Sequence, residues 1–430
     1  MKKRACTAAL TTIMCGIMHA AGLQGVTNVP PGADSTWISV GEAWQMARVS
    51  HPSLLMSDKA TETARANLEQ ERLWENPEVS ITHNVNNPVT HRYFETGREG
   101  ETDIQLSQRI YVGGQRRERV RRAKAELART QHERDDAARL LRRDLCRTMI
   151  MLASMQAKRD VLEREIASAG KVLGAYEQQQ AKGNVAVAEV TRLRNQHMLL
   201  MQERLSLDND MRELQSQLQL AVGGRGEAHQ SACCLCPRID YAACMAVLDS
   251  TCREGIVQAL EDRPDLLAGT QDIVAAEHEA KWQRANALPE LSITGEWDRN
   301  GNIGHNFFDV GVSLTLPVFN RNQGARRAAQ ATLDAKRTEQ EWNRCQAQAQ
   351  VLQAWDRLMA CRQMAQEANR SVGSANEQML EQMEAQYMRH NVSLLQLLDY
   401  YQAYKESHYM AIDCRRDVLL AMSELDLDIK

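Results

Sequence analysis

Asn76-Pro77-Glu78-Val79-Ser80-Ile81-Thr82 recurs, at an offset of 212 residues, as Leu288-Pro289-Glu290-Leu291-Ser292-Ile293-Thr294. His51-Pro52-Ser53-Leu54-Leu55 returns at the same offset as Arg263-Pro264-Asp265-Leu266-Leu267, and Glu42 and Glu254 share it. Later landmarks drift by a few residues, as differing loops require: Arg116-Arg117 answers to Arg326-Arg327, and Asn184-Val185 to Asn391-Val392. A common offset across several motifs marks a duplicated unit of roughly 200 residues.

Each copy opens with a helix broken at an X-Pro pair, because proline starts a helix well and disfavours helix before it. Two short alternating segments follow. In Glu78–Asn86, Val79, Ile81 and Val85 share one face, with Ser80, Thr82, Asn84 and Asn86 on the other. Thr102–Ile110 sets Ile104, Leu106 and Ile110 against Asp103, Gln105, Ser107 and Arg109. Glu290–Asp298 sets Leu291, Ile293 and Trp297 against polar partners, and Phe308–Leu316 does the same with Phe308, Val310, Val312, Leu314 and Leu316. Each is about nine residues of period-two alternation, the length and dyad of a tilted membrane strand. One such strand alone reads better as part of an ordinary half-buried sheet; four in a duplicated chain with an export signal read as a membrane element. Four strands cannot close a barrel, and open edges are excluded from lipid, so several chains must pool them.

The rest of each copy is helix. No proline lies between Pro88 and Pro237, and none follows Pro317. From Gln115 to Lys182, Leu141, Leu145, Leu152, Met155, Leu162, Ile166, Leu173 and Tyr176 recur at helical intervals. Such a helix is on the order of 100 Å long and needs neighbours to bury its stripe. Gln323–Met388 repeats the feature. Short breaks at Lys182-Gly183-Asn184 and His390-Asn391 lead into return helices, Val187–Val222 and Ser393–Leu427.

The N-terminus reads as an address. Lys2, Lys3 and Arg4 precede an apolar run ending in Ala20-Ala21-Gly22, which marks residues 1–21 as a secretory signal. Cys15 follows Met14, too large for the usual lipidation signal. The expected organisation is therefore the signal, a first repeat over 22–222, a cysteine-containing linker over 223–250, and a second repeat over 251–430. No later stretch is long and apolar enough for a membrane helix. The fold class is mainly α with a small β part.

A net charge of −4 gives no reason to expect nucleic acid, and basic runs such as Arg116-Arg117-Glu118-Arg119 read as a solvated helix face. No catalytic or cofactor motif occurs: no Gly-x-Ser-x-Gly, Walker loop, His-Glu-x-x-His or Gly-x-Gly-x-x-Gly. Cys233, Cys234, Cys236, Cys244 and Cys252 cluster in the linker. In an oxidising compartment disulfides are the first expectation; a thiolate metal site is the alternative, although the spacing matches no standard zinc pattern.

The chain from Trp37 to Leu427 resembles the TolC-type outer-membrane factors of tripartite efflux and type I secretion. The resemblance rests on Asn76-Pro77-Glu78-Val79, Arg263-Pro264-Asp265-Leu266, Ala287-Leu288-Pro289-Glu290-Leu291 and Leu316-Pro317-Val318-Phe319-Asn320-Arg321-Asn322-Gln323-Gly324. The last looks most like the subgroup serving cobalt–zinc–cadmium or copper–silver efflux. The resemblance implies a homotrimer with a twelve-stranded barrel in outer-membrane lipid, a periplasmic helical barrel, a periplasmic adaptor, an inner-membrane transporter of the resistance–nodulation–division type, and no cofactor. It also implies adaptor contact at Gly183-Asn184-Val185-Ala186 and His390-Asn391-Val392-Ser393. Asp399 falls where the family carries the second of two gate aspartates. Gln396 occupies the first position, with Glu189 and Arg192 at the matching places of the other repeat. Drug efflux or type I secretion is the alternative to metal export, and a periplasmic coiled-coil scaffold the remote one.

Overall fold

The computed structural model describes residues 35–88, 90–96, 99–223, 234–300, 304–371, 375–389, 391–427 and 429; the expected signal over 1–21 lies outside them. Strand β1 (Ser35–Ser39) leads into α1 (Val40–Ser50), where Ser39 and Glu42 form a reciprocal capping box. Helix α2 (Pro52–Arg72) starts on the expected proline, with His51 capping it. Strands β2 (Glu78–His83) and β3 (Thr102–Ile110) follow, then α3 (Gln115–Ala181), 67 residues long, and α4 (Val187–Gly223). The region read as a linker holds β4 (Cys234–Arg238) and α5 (Tyr241–Asp249). Next come α6 (Arg253–Ala259), a single 3-10 turn at Leu260–Asp262, and α7 (Pro264–Ala285). Strands β5 (Glu290–Asn300) and β6 (Gly304–Thr315) precede α8 (Gln323–Ser371), α9 (Ala375–Met388) and α10 (Leu394–Glu424).

The long sheet has the order β2-β3-β5-β6, antiparallel throughout, so the two hairpins meet at β3 and β5. Its register puts the apolar sets of all four strands on one face. Ile81, Ile104, Trp297 and Phe308 form one row; Val79, Leu106, Gly295 and Val310 form the next; Ile293 faces Val312 beyond them. The opposite face carries Ser80, Gln105, Glu296 and Asp309 in one row and Ser107, Thr294 and Gly311 in another. Gln108 breaks the apolar pattern at the end of its face, where its amide donates to the Glu75 carbonyl. Strand β2 stops at His83, short of the expected Asn86, because the Asn84 side chain accepts from Asn86 N and turns the chain.

Helices α2 and α7 flank the first part of α3 through ion pairs of Arg134 with Asp58 and of Arg122 with Glu279. Further along, α3 packs against α4 and α10, with Arg159–Asp208 and Lys158–Asp413 pairs across the seams. Helix α8 crosses α7 at Gly269, where an added Cβ would collide with Gln340; that glutamine donates to Leu266 O at 2.8 Å.

Two apolar clusters hold the bundle. The first joins Ile38, Val40, Ala43 and Ala47 to Leu145, Met149 and Leu152 of α3, Leu218 and Val222 of α4, Cys244 and Leu248 of α5, and Val418 and Met422 of α10. Strands β1 and β4, parallel and paired from Ser35↔Cys234 to Ser39↔Arg238, cover its edge. A five-residue strand whose partner lies this far along the chain has no local periodicity to announce it. Cys236 and Cys244 are buried here, while Cys252 is a free exposed thiol at the start of α6, accepting from Gly255 N. Among the described residues Cys236, Cys244 and Cys252 form no disulfide with one another; Cys233 and the side chain of Cys234 lie outside the described residues. The second cluster occupies the far end of the hairpins.

Candidate functional site

Two residues past the end of α3 stands Gly183, whose φ of 78° is open to glycine without strain. Gly183 N donates to Gln180 O at 2.9 Å and Asn184 N to Gln179 O at 3.0 Å, the two bonds of a glycine-terminated helix. Asn391 N donates to Gln386 O at 3.0 Å in the second copy, the counterpart of the Asn184 bond. His390 lies outside the described residues. Gly183, Asn184, Ala186, Asn391 and Ser393 are exposed, while Val185 and Val392 are half-buried.

The return helices begin differently. Ser393 accepts from Gln396 N, and the Gln396 side chain accepts from Ser393 N at 3.0 Å. This capping box gives Gln396 a structural task at the position where the family resemblance implied an aspartate. In α4 the residue before the helix is Ala186, which has no side chain to cap with, and Glu189 N reaches only the Ala186 carbonyl. Glu189 and Gln396 are each third in their helices, and Arg192 and Asp399 each sixth. All four side chains are exposed, while Val190, Leu193, Leu397 and Tyr401 beside them are buried. Among the described residues no ion pair joins Arg192 to Asp399.

Behind the tips lies a polar network that the sequence reading missed. Tyr176 and Tyr387 stack with ring centres 4.8 Å apart and planes within 6°. Ser168 donates to Glu384, and its hydroxyl lies 2.7 Å from that of Tyr401. Lys405 holds Glu203 at 2.7 Å. Glu165 is 1% exposed in the midst of them. The missed signal was spacing: Leu162, Glu165, Ala169, Val172 and Tyr176 alternate by three and four, which puts a carboxylate on the buried stripe. The motif Leu316–Gly324 also has structural work. Asn322 takes φ 55° and donates to Gln283, while Asn320 and Gln323 accept from the backbone of Asn322 and Arg321.

At the other end, the apolar face of the sheet is bare. Ile81 is 68% exposed, Phe308 78%, Val310 83% and Val312 69%. Among the described residues no helix is long and apolar enough to cross a membrane. A sheet with a continuous apolar face, mounted on long antiparallel hairpins, defines a protomer of a TolC-like outer-membrane channel. The chain belongs to the outer membrane efflux protein family, whose model matches it twice, over residues 43–224 and 255–426.

Solved structures agree on the fold. The chain is similar to a membrane protein from Pseudomonas aeruginosa (17% identity, 90% of this chain and 92% of that chain covered, TM-score 0.72). It is similar to the outer membrane protein VceC from Vibrio cholerae (17% identity, 90% and 94% covered, TM-score 0.70). It is also similar to CusC, described through its folding and transmembrane channel formation (17% identity, 93% and 94% covered, TM-score 0.65). No curated protein matches the chain by sequence. The protein is thus an outer-membrane efflux duct with a long periplasmic helical extension, and not an enzyme.

Proposed function

We propose that three copies of this chain close one twelve-stranded barrel, and that the duct exports heavy-metal cations for a proton-driven inner-membrane pump of the resistance–nodulation–division type through a periplasmic adaptor. The observation that carries the reading is the open sheet: β2 and β6 are its outer strands, beside a bare apolar face. Lipid excludes unpaired strand edges, and the smallest membrane barrels need about eight strands. Further copies must supply the rest, and the family resemblance sets the number at three.

The adaptor contact is assigned to the tips at 183–186 and 390–393. The resemblance at Leu316–Gly324 favours metal cargo over drugs or secreted proteins. A soluble scaffold would leave the apolar face without a use.

Outer-membrane fractions run unheated on a denaturing gel are expected to show a trimer; a soluble monomer would overturn the reading. Deleting the gene is expected to sensitise cells to cobalt, zinc, cadmium, copper or silver ions. Sensitivity to drugs alone would replace the cargo and keep the duct.

Asp399 is proposed to face the lumen, where a ring of carboxylates concentrates cations. Asp399→Ala is then expected to raise single-channel conductance or weaken block by divalent cations. Unchanged conductance and block would remove Asp399 from the gate.

A further inference from the structure

We propose that Glu165 is a proton-operated latch: with its carboxyl neutral, the tip halves of α3, α4, α9 and α10 pack tightly, and its ionisation loosens them. The proposal stands on packing within one chain and is independent of trimer number and cargo.

The geometry is that of a buried acid with nothing to hold its charge. Glu165 is 1% exposed, and neither carboxyl oxygen has a hydrogen-bond partner. It lies on the buried stripe of α3, between Leu162 and Ala169, within the apolar cluster that also contains Val190 and Leu193 of α4, Tyr387 of α9, and Leu397, Tyr401 and Tyr404 of α10. Of the charged groups acting on it, Glu203 opposes its ionisation and Lys405 favours it; Glu384 and the neutral tyrosine hydroxyls complete its surroundings. Helix α4 contributes Glu203 and α9 contributes Glu384. Helix α10 contributes the hydroxyls of Tyr401 and Tyr409 and, among the described residues, the cation that acts on it, Lys405.

That cation is already engaged. Lys405 lies 2.7 Å from Glu203, which also accepts from Tyr409 at 3.4 Å. On α3 itself, Lys158 is committed to Asp413 at 2.7 Å and lies over the Tyr409 ring. Glu384 is taken up by Ser168. An uncompensated charge in such a place is strongly unfavourable, so the group keeps its proton or the packing gives way. Burial pushes the Glu165 carboxyl up to about 7, with Lys405 pulling it down and Glu203 pushing it further up.

The sign follows. The carboxyl binds its proton more tightly packed than opened, so the packed form is favoured at low pH. That advantage fades as pH rises above the ordinary glutamate value of 4.5 and is gone once pH passes about 7. The opening equilibrium of the tip region should rise on the order of 100-fold between about pH 5 and about pH 8.5. Helix α10 starts at one tip and carries both Asp399 and Tyr401, so loosening at Glu165 frees the return helix that bears the gate candidate.

Hydrogen exchange of the purified full-length protein, corrected for intrinsic chemistry, reads this directly. Segments 158–176 and 396–412 are expected to exchange faster at the alkaline end, while the sheet is unchanged. Glu165→Gln, neutral and of the same shape, should abolish the dependence. Glu203→Gln should move the transition to lower pH, since it removes an opposing charge and frees Lys405. Infrared spectra of the wild-type protein at slightly acid pH should hold a protonated-carboxyl band that titrates near neutrality. A wild-type profile flat with pH, a Glu165→Gln profile like the wild type, or no such infrared band would each overturn the latch. Absence of the infrared band overturns the latch even if a variant does not fold, and its loss in Glu165→Gln assigns it to Glu165.

Discussion

Val310→Arg is expected to leave the outer membrane without an assembled oligomer. Val310 is 83% exposed in the isolated chain and sits mid-strand on the apolar face, in a row with Val79, Leu106 and Gly295. Rows containing Phe308 and Val312 flank it. An arginine at the midplane of a membrane barrel costs about 2–4 kcal/mol, and a barrel of identical subunits carries that cost in every copy. Ser313→Arg is the matched control, because Ser313 faces Ser292 on the opposite, polar side of the same strand. Unheated gels of membrane fractions should show an oligomer for Ser313→Arg and little or none for Val310→Arg. Equal assembly of the two would mean that this face does not meet lipid.

The second large effect belongs at the other end. Leu397→Asp should unlock the tip while sparing the barrel. Leu397 is fully buried in the tip cluster, one turn before Tyr401, whereas Leu395 is 71% exposed two residues earlier. Truncation to alanine at such a site costs about 2–5 kcal/mol through lost packing. Aspartate adds an unpaired buried charge and costs more. Proteolysis at the tips and hydrogen exchange over α10 should rise steeply in Leu397→Asp and remain near wild type in Leu395→Asp. Both variants should still give the oligomer band, because the sheet lies at the far end of the hairpins. Loss of the oligomer in Leu397→Asp alone would show that tip and barrel fold as one cooperative unit.

Much of this architecture could be read locally. Strand β3 runs from Thr102 to Ile110 as its alternation requires, and α3 starts at Gln115 and ends beside Gly183. These elements announce themselves because the period of the apolar pattern and the turn residues act within a few positions of one another. The candidate site was less legible. By resemblance Gln396 stands in place of a gate carboxylate, yet it caps α10 against Ser393, which is a local fact once the helix start is known. The motif at Leu316–Gly324 looked like a subgroup label, and its side chains turn out to build the β6–α8 turn.

The sequence by itself determined the periods, the repeat, the helix ends and the alternation of the strands, because each depends on neighbours along the chain. Tertiary structure alone decided that β1 and β4 would pair, since strand pairing across two hundred residues has no local cause. It alone decided that the strands would align in a register gathering every apolar row on one side. It also decided the fate of Glu165. A glutamate in a helix is solvated until three other helices close over it, and only their arrival removes water from its carboxyl and leaves the proton as its partner.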